Sequence, residues 1–277
     1  MTKWPDVSLP RLSAAGQSIY LGDCLSLLSE LPRGSVDVVV TSPPYNIGTT
    51  YSTHDDSMPS GEYIEWMDDV AGAIARVLHP MGSLFLNIAG SCTDPWTSLT
   101  VARNFGRFLR LQNRIVWAKS ISIGDQSYGH FRPINSPRYL NYTFEDVFHF
   151  THSGDVPLDR LAIGVPYVHK SNVRRWSGGV DRRCAGRVWY IPYDTIMNRD
   201  RDRGGHQATF PVELPRRCIK LHGVRPDLMV LDPFVGHGTT LVAAADLGLS
   251  AAGCDIDEGY VAFSLERLTK MERPAEV

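Results

Sequence analysis

An α/β fold built on a doubly wound, mostly parallel sheet is predicted for this chain by three observations. Short apolar runs alternate with segments of helical spacing along most of the 277 residues. One run, VDVVVT at 36–41, is nearly all apolar, as a parallel strand covered on both faces must be. Two runs end in turns that carry chemistry, Ser42-Pro43-Pro44-Tyr45 and Phe234 to Gly238, and strand ends are where ligands sit in such sheets.

The elements follow in order. The first sixteen residues, polar and punctuated by proline, read as an arm or loop. Residues 17–21 form a short strand, and after Gly22 and Asp23 a helix carries Leu25, Leu28 and Leu31 on one face. The strand at 36–41 stops at Pro43 and Pro44, because proline lacks an N–H and fixes its own φ. Residues 46–60, rich in Gly, Ser, Thr and Asp, read as a mobile loop, expected to close over a bound ligand. An amphipathic helix spans 61–80, closed by Pro80, and Gly82 turns the chain into a strand at 83–88. A helix around 96–111 and strands at 113–120 and 145–153 follow. Residues 155–205 show no long periodic segment. Alternation then resumes with helix 211–223, strand 228–233, helix 239–248, strand 250–257 and helix 258–271.

Composition narrows the class. Hydrophobic residues make up 43% and charged residues 21%, ordinary for a globular protein. No apolar run is long enough to span a membrane, and the N-terminus lacks the apolar core of a signal peptide. Five scattered cysteines, Cys24, Cys92, Cys184, Cys218 and Cys254, form no C-x-x-C pair, which argues for a reducing cytosol and against a metal site. Ten basic residues against four acidic ones between 160 and 203 leave that stretch at +6, so the remainder carries −8 within a net charge of −2. The positive charge is concentrated in one insert, where arginines beside Trp176, Trp189 and Tyr190 suit phosphate contact and base reading.

The two turns complement each other. Gly236 and Gly238 let the backbone approach a ligand closely, and a helix beginning near Thr239 offers its N-terminus to a carboxylate or phosphate. Asp255 ends the next strand, placed to accept from ribose hydroxyls. No third glycine stands at the dinucleotide spacing, so a nucleoside with an amino-acid tail fits better than a pyrophosphate.

With the hook and the glycine turn both in place, the chain resembles the amino-group DNA methyltransferases that use S-adenosylmethionine. In that family a strand ends in [Asp/Ser/Asn]-Pro-Pro-[Tyr/Phe], here Ser42 to Tyr45, and the cofactor turn is F-x-G-x-G, here Phe234 to Gly238. The hook comes first, then a variable insert, then the cofactor turn, which resembles the β order. The resemblance runs from about Ile19 to Leu268. It implies a Rossmann-like seven-stranded sheet with the catalytic half at 1–154, a target-recognition insert at 155–205 and the cofactor-binding half at 206–277. Ser42, Pro43, Pro44 and Tyr45 would be catalytic. Asp23, Asp232, Pro233, Phe234, Gly236, Gly238, Thr239 and Asp255 would hold the cofactor, S-adenosylhomocysteine being the product and no metal being needed. Asp23 would accept from the cofactor adenine, and equally suits a helix N-cap. Arg174, Arg175, Arg182, Arg183 and Trp176 would contact DNA. Lys119 and Trp117 would border the base pocket, Trp117 as packing, and the segment from Asn135 to Glu145 would reach it. Gln207 and Phe210 stand where the family usually has Pro and Lys, which puts a cofactor contact there in doubt.

The hook also has a direct physical reading. An exocyclic amine is a poor nucleophile because its lone pair is delocalised into the ring. The Ser42 hydroxyl and Pro43 carbonyl are acceptors for its two hydrogens, held rigidly by two prolines, and the Tyr45 ring offers a stacking face. A base inside a duplex cannot meet these groups and must be flipped out. Ser as the first hook residue goes mostly with cytosine-N4 in the family, Asp mostly with adenine-N6. The expectation is therefore a cytosine-N4 DNA methyltransferase, with adenine-N6 as the alternative; a protein glutamine methyltransferase, whose hook begins with Asn, and a non-catalytic DNA-binding relative are more distant. The expected partners are double-stranded DNA and, as a genetic partner, a separate restriction endonuclease. The protein would be a monomer or homodimer in a bacterial or archaeal cytoplasm, associated with the nucleoid.

Overall fold

The computed structural model describes residues 4–46, 48, 56–130, 133–176, 178–192 and 209–272. Its elements are β1 (Arg11–Ala14), β2 (Gln17–Leu21), α1 (Cys24–Glu30), β3 (Val36–Thr41), α2 (Ser60–Val77), β4 (Leu78–Ile88), α3 (Thr97–Phe105) and β5 (Arg110–Ala118). They continue with β6 (Ser120–Ile123), β7 (Gln126–Gly129), β8 (Phe144–Thr151), α4 (Ser171–Trp176), β9 (Val188–Tyr190), α5 (Glu213–His222), β10 (Met229–Asp232), α6 (Thr239–Asp246), β11 (Ser250–Asp255) and α7 (Glu258–Glu272).

Among the described residues one sheet has nine strands in the order β1-β2-β11-β10-β3-β4-β8-β5-β9, and β6 pairs with β7 in a separate hairpin. The expected seven strands are present as the block from β2 to β5. The two additions are the edges: β1, antiparallel to β2, lies in the segment read as an arm, and β9, parallel to β5, lies in the insert read as irregular. Strands of four and three residues carry no periodicity of their own; a neighbour's open edge makes them. The helix expected to run to Pro80 ends at Val77, and Leu78–Pro80 already belong to β4, where a bulge opposite Val36 and Val38 absorbs the proline. The helix expected over 96–111 is shorter, Thr97–Phe105.

Two apolar layers hold the sheet. Val36 and Val39 of β3 with Leu84, Leu86 and Ile88 of β4 face α1, α2 and α3. Val38, Val40 and Phe85 face the opposite layer, with Leu214 and Ile219 of α5, Leu241 of α6 and Val261 of α7. Helix α2 buries Tyr63, Met67, Val70, Ala71, Ile74 and Val77, one continuous stripe at helical spacing. No helix among the described residues is long and apolar enough to cross a membrane.

The pairing directions decide where functional groups gather. β2, β11, β10, β3 and β4 run parallel, so their carboxyl ends share one edge of the sheet. β8 is antiparallel to β4 and β5. Its first residues, Phe144 and Glu145, therefore arrive at the edge where the last residues of β3, β4 and β5 lie.

Ser83 joins a buried histidine to a half-buried one: its hydroxyl lies 3.0 Å from His149 Nε2 and 3.0 Å from His222 Nδ1. His149 also stacks on Phe85 and meets Asn113 at 3.1 Å. One imidazole donates to the hydroxyl and the hydroxyl donates to the other, an arrangement only neutral rings complete. Burial lowers His149 to about 3 and His222 to about 4, Arg225 adding to the second effect and Asp37 opposing it. Because the folded values lie below the ordinary 6.5, this contribution is full above that pH. It is lost as the pH falls, because the unfolded chain takes up protons that the folded one refuses. Stability between pH 7 and 5 is expected to fall more steeply in the wild type than in His222→Gln, by up to roughly 1.4 kcal/mol per pH unit for the one proton removed. Urea unfolding across that range measures it, and equal slopes would refute the neutral-pair account.

Candidate active site

Chain geometry at the end of β3 sets the hook. Thr41 is the last strand residue, Pro43 is buried, and Ser42, Pro44 and Tyr45 are half-buried. The Tyr63 hydroxyl of α2 donates to the Pro44 carbonyl at 2.8 Å, so the second proline is clamped from below. Beyond it Asn46 turns the chain with φ 56°, a left-handed conformation that asparagine tolerates. Asn46 is fixed by its N–H to Asp56 Oδ1 and its amide to the Met58 carbonyl, both 2.8 Å. The loop expected over 46–60 falls largely outside the described residues, and so does any closure of it over a base.

Behind the hook lies a polar cluster from three further strands. Ser42 Oγ is 2.9 Å from the Tyr45 hydroxyl, which donates to Glu145 Oε2 at 2.9 Å. Asn87 Nδ2, at the end of β4, donates to the Tyr45 oxygen and to Glu145 Oε2, both 2.7 Å, and lies 3.5 Å from Ser42 Oγ. Lys119 follows β5 and pairs with Glu145 Oε1 at 2.7 Å. Glu145 lies at the end of the segment from Asn135, and Lys119 meets it from the end of β5. Trp117 is core, its indole N–H donating to the Ile191 carbonyl at 2.9 Å. Sequence reasoning missed Asn87 and Tyr63, each a single polar group inside an otherwise apolar pattern.

The glycine turn follows β10. Gly236 has φ 47° and Gly238 φ 73°; a Cβ on Gly238 would lie 2.9 Å from Ser264 Oγ, and no side chain caps α6 there. The turn is braced from α7: Ser264 Oγ donates to the Gly236 carbonyl at 2.6 Å, and Arg267 donates to the His237 carbonyl at 2.6 Å and to Thr239 Oγ1 at 3.2 Å. Phe234 packs edge-on against Trp66 of α2, ring centres 5.6 Å apart. Pro233 is buried. Asp255 ends β11 with its carboxylate on the Gly236 N–H at 2.9 Å and the Asp257 N–H at 3.0 Å. Burial raises its pKa, and those N–H bonds work the other way. Asp23 is an N-cap, its carboxylate accepting from Ser26 N at 3.1 Å, and it remains exposed.

Asp232 ends β10. It is buried, and its carboxylate accepts from Thr41 Oγ1 at 2.8 Å, Thr240 Oγ1 at 2.6 Å and Phe234 N at 3.2 Å. These bonds make it a brace between the last residue of β3 and the first turn of α6. Burial pushes its pKa up to about 6, the hydroxyls opposing; it stays mostly ionised at neutral pH, where its bonds are strongest.

The insert is partly ordered. Arg174 and Arg175 lie exposed on α4, and Trp176 ends that helix. Arg183 is exposed, its backbone bridging Val165. Arg182 is exposed as well and donates to the carbonyls of Leu161 at 3.4 Å and Gly164 at 3.1 Å, contacts within the insert itself. Trp189, expected to read bases, is buried in the core beside β5, its alternation with the exposed Val188 and Tyr190 set by the β9 pleat. Phe210, at the position usually Lys, is packed in the same apolar layer, and Gln207 lies outside the described residues.

A family model described as DNA methylase matches residues 36–266. The Type II methyltransferase M.BglII of Bacillus subtilis is 28% identical over 265 residues, spanning 91% of this chain and 68% of that protein. DNA adenine methyltransferase YhdJ of Escherichia coli (strain K12) is 27% identical over 271 residues, spanning 93% and 84%. Among solved structures, the cytosine-N4-specific PvuII DNA methyltransferase has a TM-score of 0.67 at 19% identity, covering 96% of this chain and 95% of that one. A putative DNA modification methylase of Thermus thermophilus, complexed with S-adenosyl-L-methionine, has a TM-score of 0.61 at 23% identity, covering 91% and 93%.

Proposed function

The chain belongs to the DNA methylase family, and we propose that it methylates the N4 amino group of a cytosine flipped out of duplex DNA, with S-adenosylmethionine as methyl donor. The observation that carries this reading is the union of two halves: the hook ending β3 and the glycine turn following β10 lie on neighbouring strands, tied by Thr41 Oγ1 on Asp232 at 2.8 Å.

The residues fit the donor. The turn takes positive φ at Gly236 and Gly238, and a Cβ on Gly238 would crowd Ser264; its backbone leads into the start of α6, suiting a ligand's methionine tail there. Asp255 presents its carboxylate at the adjacent strand end, and Asp23 remains exposed beyond β2. When bound, S-adenosylmethionine supplies a methyl group on a sulfonium whose C–S bond breaks with its electron pair to sulfur. The target amine contributes the lone pair for the new N–C bond and releases one proton to solvent. Ser42 Oγ and the Pro43 carbonyl draw on the amine hydrogens, and the Tyr45 ring stacks on the base, holding the nitrogen in line. The insert at 155–205 serves as the target-recognition segment, with Arg174, Arg175 and Arg183 on phosphates. M.BglII is named a Type II methyltransferase, which favours a companion restriction endonuclease on a separate chain.

Serine at the head of the hook supports cytosine. YhdJ, similar over 93% of this chain, is named an adenine methyltransferase, which favours adenine-N6 as the second reading. Incubating the protein with unmethylated bacterial DNA and methyl-labelled S-adenosylmethionine, then separating nucleosides, is expected to place the label in 4-methylcytosine. Label in 6-methyladenine would select the second reading, and unlabelled DNA would refute both.

A further inference from the structure

The cluster behind the hook has a direction built into it. Asn87 Nδ2 and the Lys119 ammonium only donate, and the Glu145 carboxylate only accepts. Its side chain and that of Lys119 are 13% and 17% exposed, so bulk water does not scramble the pattern. The Tyr45 hydroxyl has one proton, which goes to Glu145 Oε2 at 2.9 Å. The contact of 2.9 Å between Tyr45 and Ser42 must then use the serine's own proton. Ser42 Oγ, its proton committed inward, is left with lone pairs to offer.

This matters for an amine that must attack. A serine donating toward the nitrogen would compete for the lone pair that forms the new bond. A serine accepting from an amino hydrogen leaves that lone pair available and raises the electron density on nitrogen. We propose that Glu145, anchored by Lys119, is a positioning residue that holds Ser42 as an acceptor toward the target amine by fixing the order of protons through Tyr45. The inference rests on the methyl-transfer reading above and adds to it a specific role for a carboxylate delivered by the antiparallel strand β8.

Glu145→Gln tests it. A glutamine offers one carbonyl where the carboxylate offered two acceptors. With the carbonyl facing Lys119, the NH2 group faces Tyr45, whose proton then turns to Ser42 and releases the serine's proton toward the amine. The expected result is a kcat lower on the order of 10²-fold, with KM for DNA, cofactor affinity by calorimetry and thermal unfolding close to wild type. In a Ser42→Ala background the same change should add almost nothing, because no hydroxyl remains to invert. Glu145→Asp, which keeps a carboxylate, should recover part of the loss. Tyr45→Phe provides a second route: it also removes the serine's acceptor, and its loss should be non-additive with Glu145→Gln even if the glutamine variant folds poorly. Equal-fold losses with and without Ser42, or a loss confined to KM, would overturn the inference while wild-type methylation of DNA stands. A wild type that methylates no DNA would bring down the functional reading and this inference together.

Discussion

A Gly236→Asp protein is expected to show no calorimetric binding of S-adenosylmethionine, a loss of at least about 10³-fold or roughly 4 kcal/mol. The position combines three constraints. Its φ of 47° is costly for a residue with a side chain. Its N–H is held by the Asp255 carboxylate at 2.9 Å and its carbonyl by Ser264 at 2.6 Å, so the backbone cannot relax without breaking both. A new carboxylate there would lie near Asp255 in a buried turn, where like charges repel strongly and an incoming carboxylate tail would face two negative groups. Gly236→Ala serves as the comparison, because it tests the backbone and steric costs without adding charge and should retain partial affinity. Wild-type affinity in Gly236→Asp would remove the glycine turn from the cofactor site.

Tyr45→Ala is expected to lower kcat on the order of 10²-fold or more, combining a lost base-stacking platform, worth about 1–3 kcal/mol per base, with the loss of the group that takes the Ser42 proton. Cofactor affinity should be nearly unchanged, because the hydroxyl bonds of Tyr45 join Ser42, Asn87 and Glu145, away from the glycine turn. Single-turnover methylation alongside cofactor calorimetry separates the two effects. Unchanged turnover would refute both roles, whereas a parallel fall in cofactor affinity would show that the hook and the donor site collapse as one.

How much of this was legible in the sequence depended on how local each signal is. The hook and the glycine turn are contiguous stretches whose residue types carry their own geometry, so their identity and their place at strand ends could both be read. Asp232 was legible as a member of the motif, but its bonds to Thr41, 191 residues away, and to Thr240 on the following helix were not. Asn87 was invisible for a related reason: an asparagine at the end of an apolar strand looks like a terminator until its partners are in place. The insert misled in both directions. Trp189 looked like a surface aromatic among arginines because its three-residue strand has no pattern long enough to show alternation, and Arg182 looked equivalent to Arg183 although its guanidinium bonds to the carbonyls of Leu161 and Gly164. Edge strands and single buried polar groups are properties of the assembled sheet, and local propensity does not encode them.

The order of strands in the sheet has a further consequence, for the time course of synthesis. β10 lies between β3 and β11, and β11 lies between β10 and β2, so Ser18 pairs with Ala252, far along the chain. A ribosome that has completed β1 to β9 has made the hook but not the strands that cover the facing edges of β2 and β3. Those edges expose unpaired backbone groups, the condition that invites association with other chains. They must wait for β10 and β11, and closing such distant pairs is slow. A nascent fragment that ends before β10 therefore carries the hook without the glycine turn. The hook and the glycine turn come together only when β10 and β11 slot between β2 and β3, in the middle of a sheet begun by earlier strands.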